Sequence, residues 1–306
     1  MPTIGFDIEF FVADNVSRKV IPICGLVGGN KKEHIIIPNS RAGGVPWEIH
    51  EDNVALEVNS PVFSDICLAE RWLRNLHTDL AFDMKVAGFP VHPIGMSYQH
   101  QIKFTKKLLQ KAGMQALEIG CDPDFSAYYK NGAVPRQIQT GSFESGQRYV
   151  GGHVHLGYNT HEHIPHHCAA KILDLITIQY SECVVQGRLE TYGLGTYRPK
   201  PYGIEYRALS TGGLLGANLA VVASYWNLAR ELETNPQRLA EIYGEFEEED
   251  WAILRDYHKK NDTQKRRMLE KSGKSLMEER IFDAPQDFGS KRLRAQIWDQ
   301  FDTLPE

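Results

Sequence analysis

The chain's 306 residues and 42% hydrophobic content suit a globular protein of one large domain or two small ones, with ample core. A net charge of −5 and a pI near 6.2 argue against a general nucleic-acid binder, and no apolar run approaches the length of a membrane span. The opening residues MPTIGFDIEFF lack a basic region and a cleavage pattern, so no signal peptide is expected. Cys24, Cys67, Cys121, Cys168 and Cys183 form no CxxC motif and no close pair. That predicts free thiols in a reducing cytoplasm and no thiolate zinc site.

In chain order, TIGFDIEFFVAD (3–14) and RKVIPIC (18–24) predict a hairpin. HIIIP (34–38), NVALEVNSPV (53–62), FPVHPIGMS (89–97) and QALEIGCD (115–122) predict further strands. A long helix is expected over 64–88, capped by Ser64 and ended by Gly88. The run GGHVHLGY reads as a strand, followed by a helix from Pro165 to Gly187. TYGLGTYRPKPYG (191–203) predicts an irregular segment, IEYRALS (204–210) a strand, and 215–233 a helix. Beyond Asn235 apolar density falls and charge rises, which predicts helices packed on the core with solvated charged faces. Strands interleaved with long helices imply an α+β fold with a mostly antiparallel sheet. The expected division is 1–234 and a helical extension, 235–306.

Alternation in four strands is the informative feature. Ile4, Phe6, Ile8 and Phe10 oppose Asp7 and Glu9; Val54, Leu56 and Val58 oppose Glu57 and Asn59. Val154 and Leu156 oppose His153 and His155; Ile204, Tyr206 and Ala208 oppose Glu205 and Arg207. A wet sheet face accounts for each strand alone. Together the four faces carry carboxylates, imidazoles and one arginine, with almost no lysine. Paired strands would crowd those carboxylates unless cations neutralise them. Carboxylates with an imidazole suit Mg²⁺ or Mn²⁺, and magnesium in turn suggests bound phosphates.

Other stretches are weaker. GLVGGNKKEH lacks the Walker spacing and reads as a glycine turn after a hairpin, with substrate contact as the alternative. The histidines of HEHIPHH (His161, His163, His166, His167) read as a surface loop rather than a zinc site, and CDPDF (Asp122, Asp124) as a turn or a metal or amine contact. RPKPYG holds Arg198 and Lys200 among prolines, as expected of a phosphate clamp or of any rigid surface loop. No nucleophile motif is present.

GFDIEFF, HEDNVALEVNSP, GCDPDF, GGHVHLG and YRPKPYGIEYRALS, in that order, resemble the phage-type (type 2) amidoligases over residues 1–230. These are carboxylate–amine ligases with a glutamine synthetase-like catalytic fold, related to glutamate–cysteine ligases. The resemblance implies a curved antiparallel sheet with flanking helices whose concave face holds metal-bound ATP. It places metal ligands at Asp7, Glu9, Glu57, His153 and Glu205, catalytic arginines at Arg198 and Arg207, and nucleotide contacts at His155, Lys200 and Asn59. Gly151, Gly152 and Gly157 are expected to leave room for the nucleotide. Asp7 departs from the glutamate common at its position in glutamine synthetases, which implies metal contact through water. The implied reaction is ATP- and Mg²⁺- (or Mn²⁺-) dependent amide formation through an acyl phosphate. Its substrates would be a small-molecule or peptide carboxylate and an amine, a cell-wall peptide among the candidates, in the cytoplasm (the host's, for a phage protein). A phosphotransferase of related fold and a non-catalytic metal- or nucleotide-binding relative are the rivals.

Overall fold

A computed structural model describes residues 1–40, 45–94, 101–117, 124–128, 134–136, 146–159, 165–180, 193–215 and 219–278. Its strands are β1 (Thr3–Phe10), β2 (Val12–Asp14), β3 (Val20–Ile21), β4 (Ile35–Ile37), β5 (Trp47–Asp52), β6 (Ala55–Asn59), β7 (Val91–Pro93), β8 (Gln101–Lys103), β9 (Asp124–Ser126), β10 (Val134–Arg136), β11 (Gln147–Tyr149), β12 (Gly152–Gly157), β13 (Thr196–Lys200) and β14 (Gly203–Tyr206). Nine of them form one sheet in the order β10-β9-β13-β14-β12-β1-β6-β5-β4, with antiparallel pairing throughout. The fold is α+β, as the interleaving of elements predicts.

One face of this sheet is apolar. Ile4, Phe6, Ile8, Leu56, Val58, Val154, Leu156, Ile204 and Tyr206 are buried in a single core cluster. Helix α1 (Ile66–Val86) packs there. Asp65 caps it rather than Ser64: its extended backbone (φ −133°) lets the carboxylate accept from Cys67 N at 2.8 Å. Gly88, at φ +82°, follows the last turn as expected. The short helices α2 (Lys106–Ala112) and α3 (Met114–Leu117) follow. Residues 115–117 of the expected QALEIGCD strand are therefore helical; the rest of that stretch lies outside the described residues.

Helix α4 (His166–Gln179) covers the back of β13 and β14. Its buried Asp174 accepts from Tyr128 OH (2.5 Å), Tyr206 OH (2.6 Å) and Gly195 N (2.8 Å). Burial nevertheless pushes the Asp174 carboxyl up to about 7. Helices α5 (Thr211–Leu215) and α6 (Leu219–Thr234) complete that face. Beyond Asn235, α7 (Pro236–Gly244), α8 (Glu248–Arg255) and α9 (Asp262–Glu278) send Leu239, Ile242, Trp251, Leu254 and Met268 into the same core. Lys171 of α4 lies over the rings of Trp251 (4.9 Å), Tyr243 (5.3 Å) and Tyr128 (5.5 Å). Among the described residues no helix is long and apolar enough to cross a membrane.

Three further segments differ from expectation. The predicted N-terminal hairpin survives only as β2 with β3, which join β7 in a small separate sheet while β1 enters the large one. Residues 196–200, expected to be irregular, form β13. Among the described residues β9 pairs on that side with Thr196 and Tyr197 and not with Arg198–Lys200, which leaves an edge where a proline is tolerated. Strand β14 ends at Tyr206, one residue before Arg207, although Arg207 N still donates to Thr196 O at 3.0 Å.

Candidate active site

The other face of the sheet is polar, and its register assembles the residues singled out by alternation. Asp7 of β1 lies opposite His153 on one side and Asn59 on the other; Glu9 lies opposite Glu57. His155 lies opposite Glu205, which in turn faces Arg198. Five strands thus bring Asp7, Glu9, Glu57, Asn59, His153, His155, Arg198, Lys200 and Glu205 to one surface, and Arg207 reaches it from the end of β14.

Charge is segregated across that surface. On the β13–β14 side, Glu205 accepts from Lys200 Nζ (2.7 Å), lies 3.5 Å from Arg198 Nη1, and contacts Arg207 directly. Burial alone would raise the Glu205 carboxyl; Arg207, with His155, Arg198 and Lys200, pulls it down to about 2. Arg207, only 3% exposed, also donates to His153 Nδ1 at 3.2 Å. The basic end therefore holds three side-chain cations around one carboxylate.

The β1–β6–β5 side is acidic. His153 Nε2 lies 3.8 Å from Glu9 Oε1, and the other oxygen of Glu9 accepts from Gly151 N at 2.5 Å. Glu57 is buried, and its carboxyl is pushed well above the usual range by burial and by the charges of Asp7, Glu9 and Asp52. Lys31 reaches Asp52 at 3.3 Å. Ligand atoms of Glu9, Asp52 and Glu57 lie within 4.8 Å of one another, as do those of Asp7, His153 and Glu205. Oxygen-rich triads of this kind fit a divalent cation, and cation binding would relieve the repulsion that raises the Glu57 carboxyl.

Between the two ends, Asp7 Oδ2 receives His155 Nε2 at 2.7 Å and Oδ1 receives Asn59 Nδ2 at 2.8 Å. Burial would raise the Asp7 carboxyl, but His155 and Asn59 hold it below the usual carboxylate range. His155 Nδ1 meets Tyr202 OH at 2.5 Å, on the turn between β13 and β14. A carboxylate, an imidazole and a half-exposed phenol are thereby linked in one line.

Several sequence expectations resolve differently. A Cβ at Gly152 would meet Leu214 at 2.4 Å and one at Gly157 would meet Thr3 Oγ1 at 2.2 Å, so these glycines admit the protein's own packing rather than a nucleotide. The GLVGGNKKEH stretch, by contrast, forms the structural glycine turn expected of it. Gly25 N, Val27 N and Gly28 N all donate to the Glu51 carboxylate at 2.7–2.8 Å, with Gly25 and Gly28 at positive φ. His161, His163 and Asp122 lie outside the described residues; His166 and His167 open α4, and Asp124 begins β9.

Sequence reasoning missed β5 and with it His50 and Asp52. The signal was present as Trp47 and Ile49 alternating with Glu48 and His50. Glu51 interrupted it, an acid at a core-facing position that only the distant glycine loop satisfies. No family model matches the chain, and no curated protein matches it.

Proposed function

We propose that the chain is an ATP-dependent carboxylate–amine ligase with a glutamine synthetase-like catalytic sheet, forming an amide through an acyl phosphate. The observation that carries this reading is the segregation of charge on one sheet face. Three cations stand at one end, and two carboxylate-rich triads able to hold divalent cations stand beside them. A polyphosphate with bound Mg²⁺ or Mn²⁺ has the complementary distribution. The triads Asp7–His153–Glu205 and Glu9–Asp52–Glu57 would hold the cations, which when bound neutralise phosphate charge. Asp7 has both oxygens engaged, which favours contact with a cation through water.

In this reading Arg198, Lys200 and Arg207 grip phosphate oxygens, and Arg207, the most buried of the three, stabilises charge on the transferring phosphoryl group. The γ-phosphoryl passes to the substrate carboxylate with loss of ADP. The amine then attacks the acyl carbon, and phosphate departs. His155, aligned by Asp7 and Tyr202, accepts the proton the amine gives up. No side-chain nucleophile takes part.

The test is ADP release with Mg²⁺ against pools of amino acids, polyamines and cell-wall peptides. The expected result is release that requires both a carboxylate and an amine, with an amide product by mass spectrometry. Release with a phosphorylated product and no amine requirement would replace the ligase by a phosphotransferase. Absence of ATP binding with either cation, by calorimetry, would remove both.

A further inference from the structure

His50 is the least explained polar side chain on the sheet. It is 1% exposed, and among the described residues neither ring nitrogen has a hydrogen-bond partner. A buried polar group in that state calls for a missing partner. Its strand neighbour across the ladder is Glu57, and Nε2 stands 3.7 Å from Glu57 Oε1, too far for a hydrogen bond. His34 stacks on the ring at 4.9 Å and 12°, which fixes its plane, while His34 itself bonds Glu48. The imidazole is thus held, unsatisfied, beside the triad Glu9–Asp52–Glu57.

We propose that His50 is a ligand of a divalent cation shared with Glu57, and that its nitrogen makes this second site prefer Mn²⁺ to Mg²⁺. The inference rests on the ligase reading only in taking this face to bind cations. Two donors at about 2.1 Å from one ion stand roughly 3–3.5 Å apart at right-angle to tetrahedral geometry. The observed gap needs only a small contraction. The ion would satisfy Nε2 and offset the crowding of the Glu57, Glu9 and Asp52 carboxyl groups. Oxygen-only sites suit Mg²⁺; adding imidazole shifts preference toward transition metals. His153 supplies nitrogen within the other triad, so the test must separate the two histidines.

The experiment is Mn²⁺ binding followed by pulsed electron paramagnetic resonance, which detects directly coordinated ¹⁴N, on full-length protein checked for folding by circular dichroism. His153→Ala should retain bound Mn²⁺ with nitrogen coupling, and His153→Ala with His50→Gln should lose that coupling. His50→Gln alone should weaken Mn²⁺ at one site by roughly tenfold or more, since even an outer partner of a ligand is worth 10–100-fold. His50→Glu should restore binding but narrow the Mn²⁺/Mg²⁺ preference. If His153→Ala does not fold, wild type and His50→Gln are compared, and the coupled-nitrogen count must fall by one. Nitrogen coupling and affinity unchanged by His50→Gln would overturn the proposal while leaving the ligase reading intact, His50 then being a plain neighbour of Glu57. A wild-type protein that binds neither Mn²⁺ nor Mg²⁺ would overturn both.

Discussion

At the residue scale, Glu57 and Arg207 carry opposite lessons about charge on one face. Glu57 is buried among Asp7, Glu9 and Asp52, and its folded-state carboxyl titrates above the unfolded one. Its contribution to stability is therefore fully present below the unfolded value and is lost as pH rises through the folded one. Without metal, Glu57→Gln should raise the melting temperature at pH 8 by roughly 2 °C, as expected for about 1 kcal/mol in a chain of this size. At pH 4 the two proteins should melt alike. The check is calorimetric melting in EDTA; a variant that melts lower at pH 8 would show that the carboxyl group is structural. Arg207 bonds both Glu205 and His153. Lysine keeps the charge but not the fork, so on the proposed ligase reading Arg207→Lys should lower turnover by about two to three powers of ten, the cost of one lost transition-state donor. Steady-state kinetics should find ATP affinity little changed.

At the element scale, β14 is gripped from behind. Tyr206 bonds Asp174, and its hydroxyl also meets Thr177 at 2.9 Å, so the helix side fixes the strand that carries Glu205 and leads to Arg207. Asp174 titrates near 7 when folded, so its stabilising share is complete below about 4 and declines until pH passes 7. Asp174→Asn should flatten the stability profile between pH 4 and 7, read by urea unfolding at stepped pH; an unchanged slope would assign the dependence elsewhere. Strands β1, β6, β12 and β14 were legible in the sequence because apolar and chemical residues alternate without interruption. Strand β13 was hidden because prolines usually argue against a strand, and its edge position is a fact of pairing rather than of composition. The N-cap moved by one residue because serine and aspartate are adjacent and both can cap. The candidate site was legible as a set of side chains on four strands. A further contributor, β5, was not, since Glu51 is acceptable in the core only through backbone donors more than twenty residues away.

At the scale of the whole molecule, the charged C-terminal helices are structural partners of the sheet. Leu239, Ile242, Trp251, Leu254 and Met268 share its core, and each buried side chain of this size is worth about 1.5–3 kcal/mol. That sum rivals the whole stability of an ordinary domain. A chain ended after Thr234 should therefore fail to fold, seen as lost near-ultraviolet dichroism and dye binding to exposed apolar surface; a cooperative melt from that fragment would show the helices to be an independent addition. Charge segregation on the front of the sheet has a further consequence at long range. Acidic β5–β6 and basic β13–β14 lie at opposite ends of one surface, so that surface carries a dipole along the sheet even though the chain as a whole is negative. A linear ligand with unlike ends experiences a torque before it touches a side chain, and one heading lowers its energy while the reverse raises it. The screening length is about 8 Å at physiological salt, so alignment sets in during the last few ångströms of approach. Raising the salt then randomises headings, slowing productive arrival more than departure.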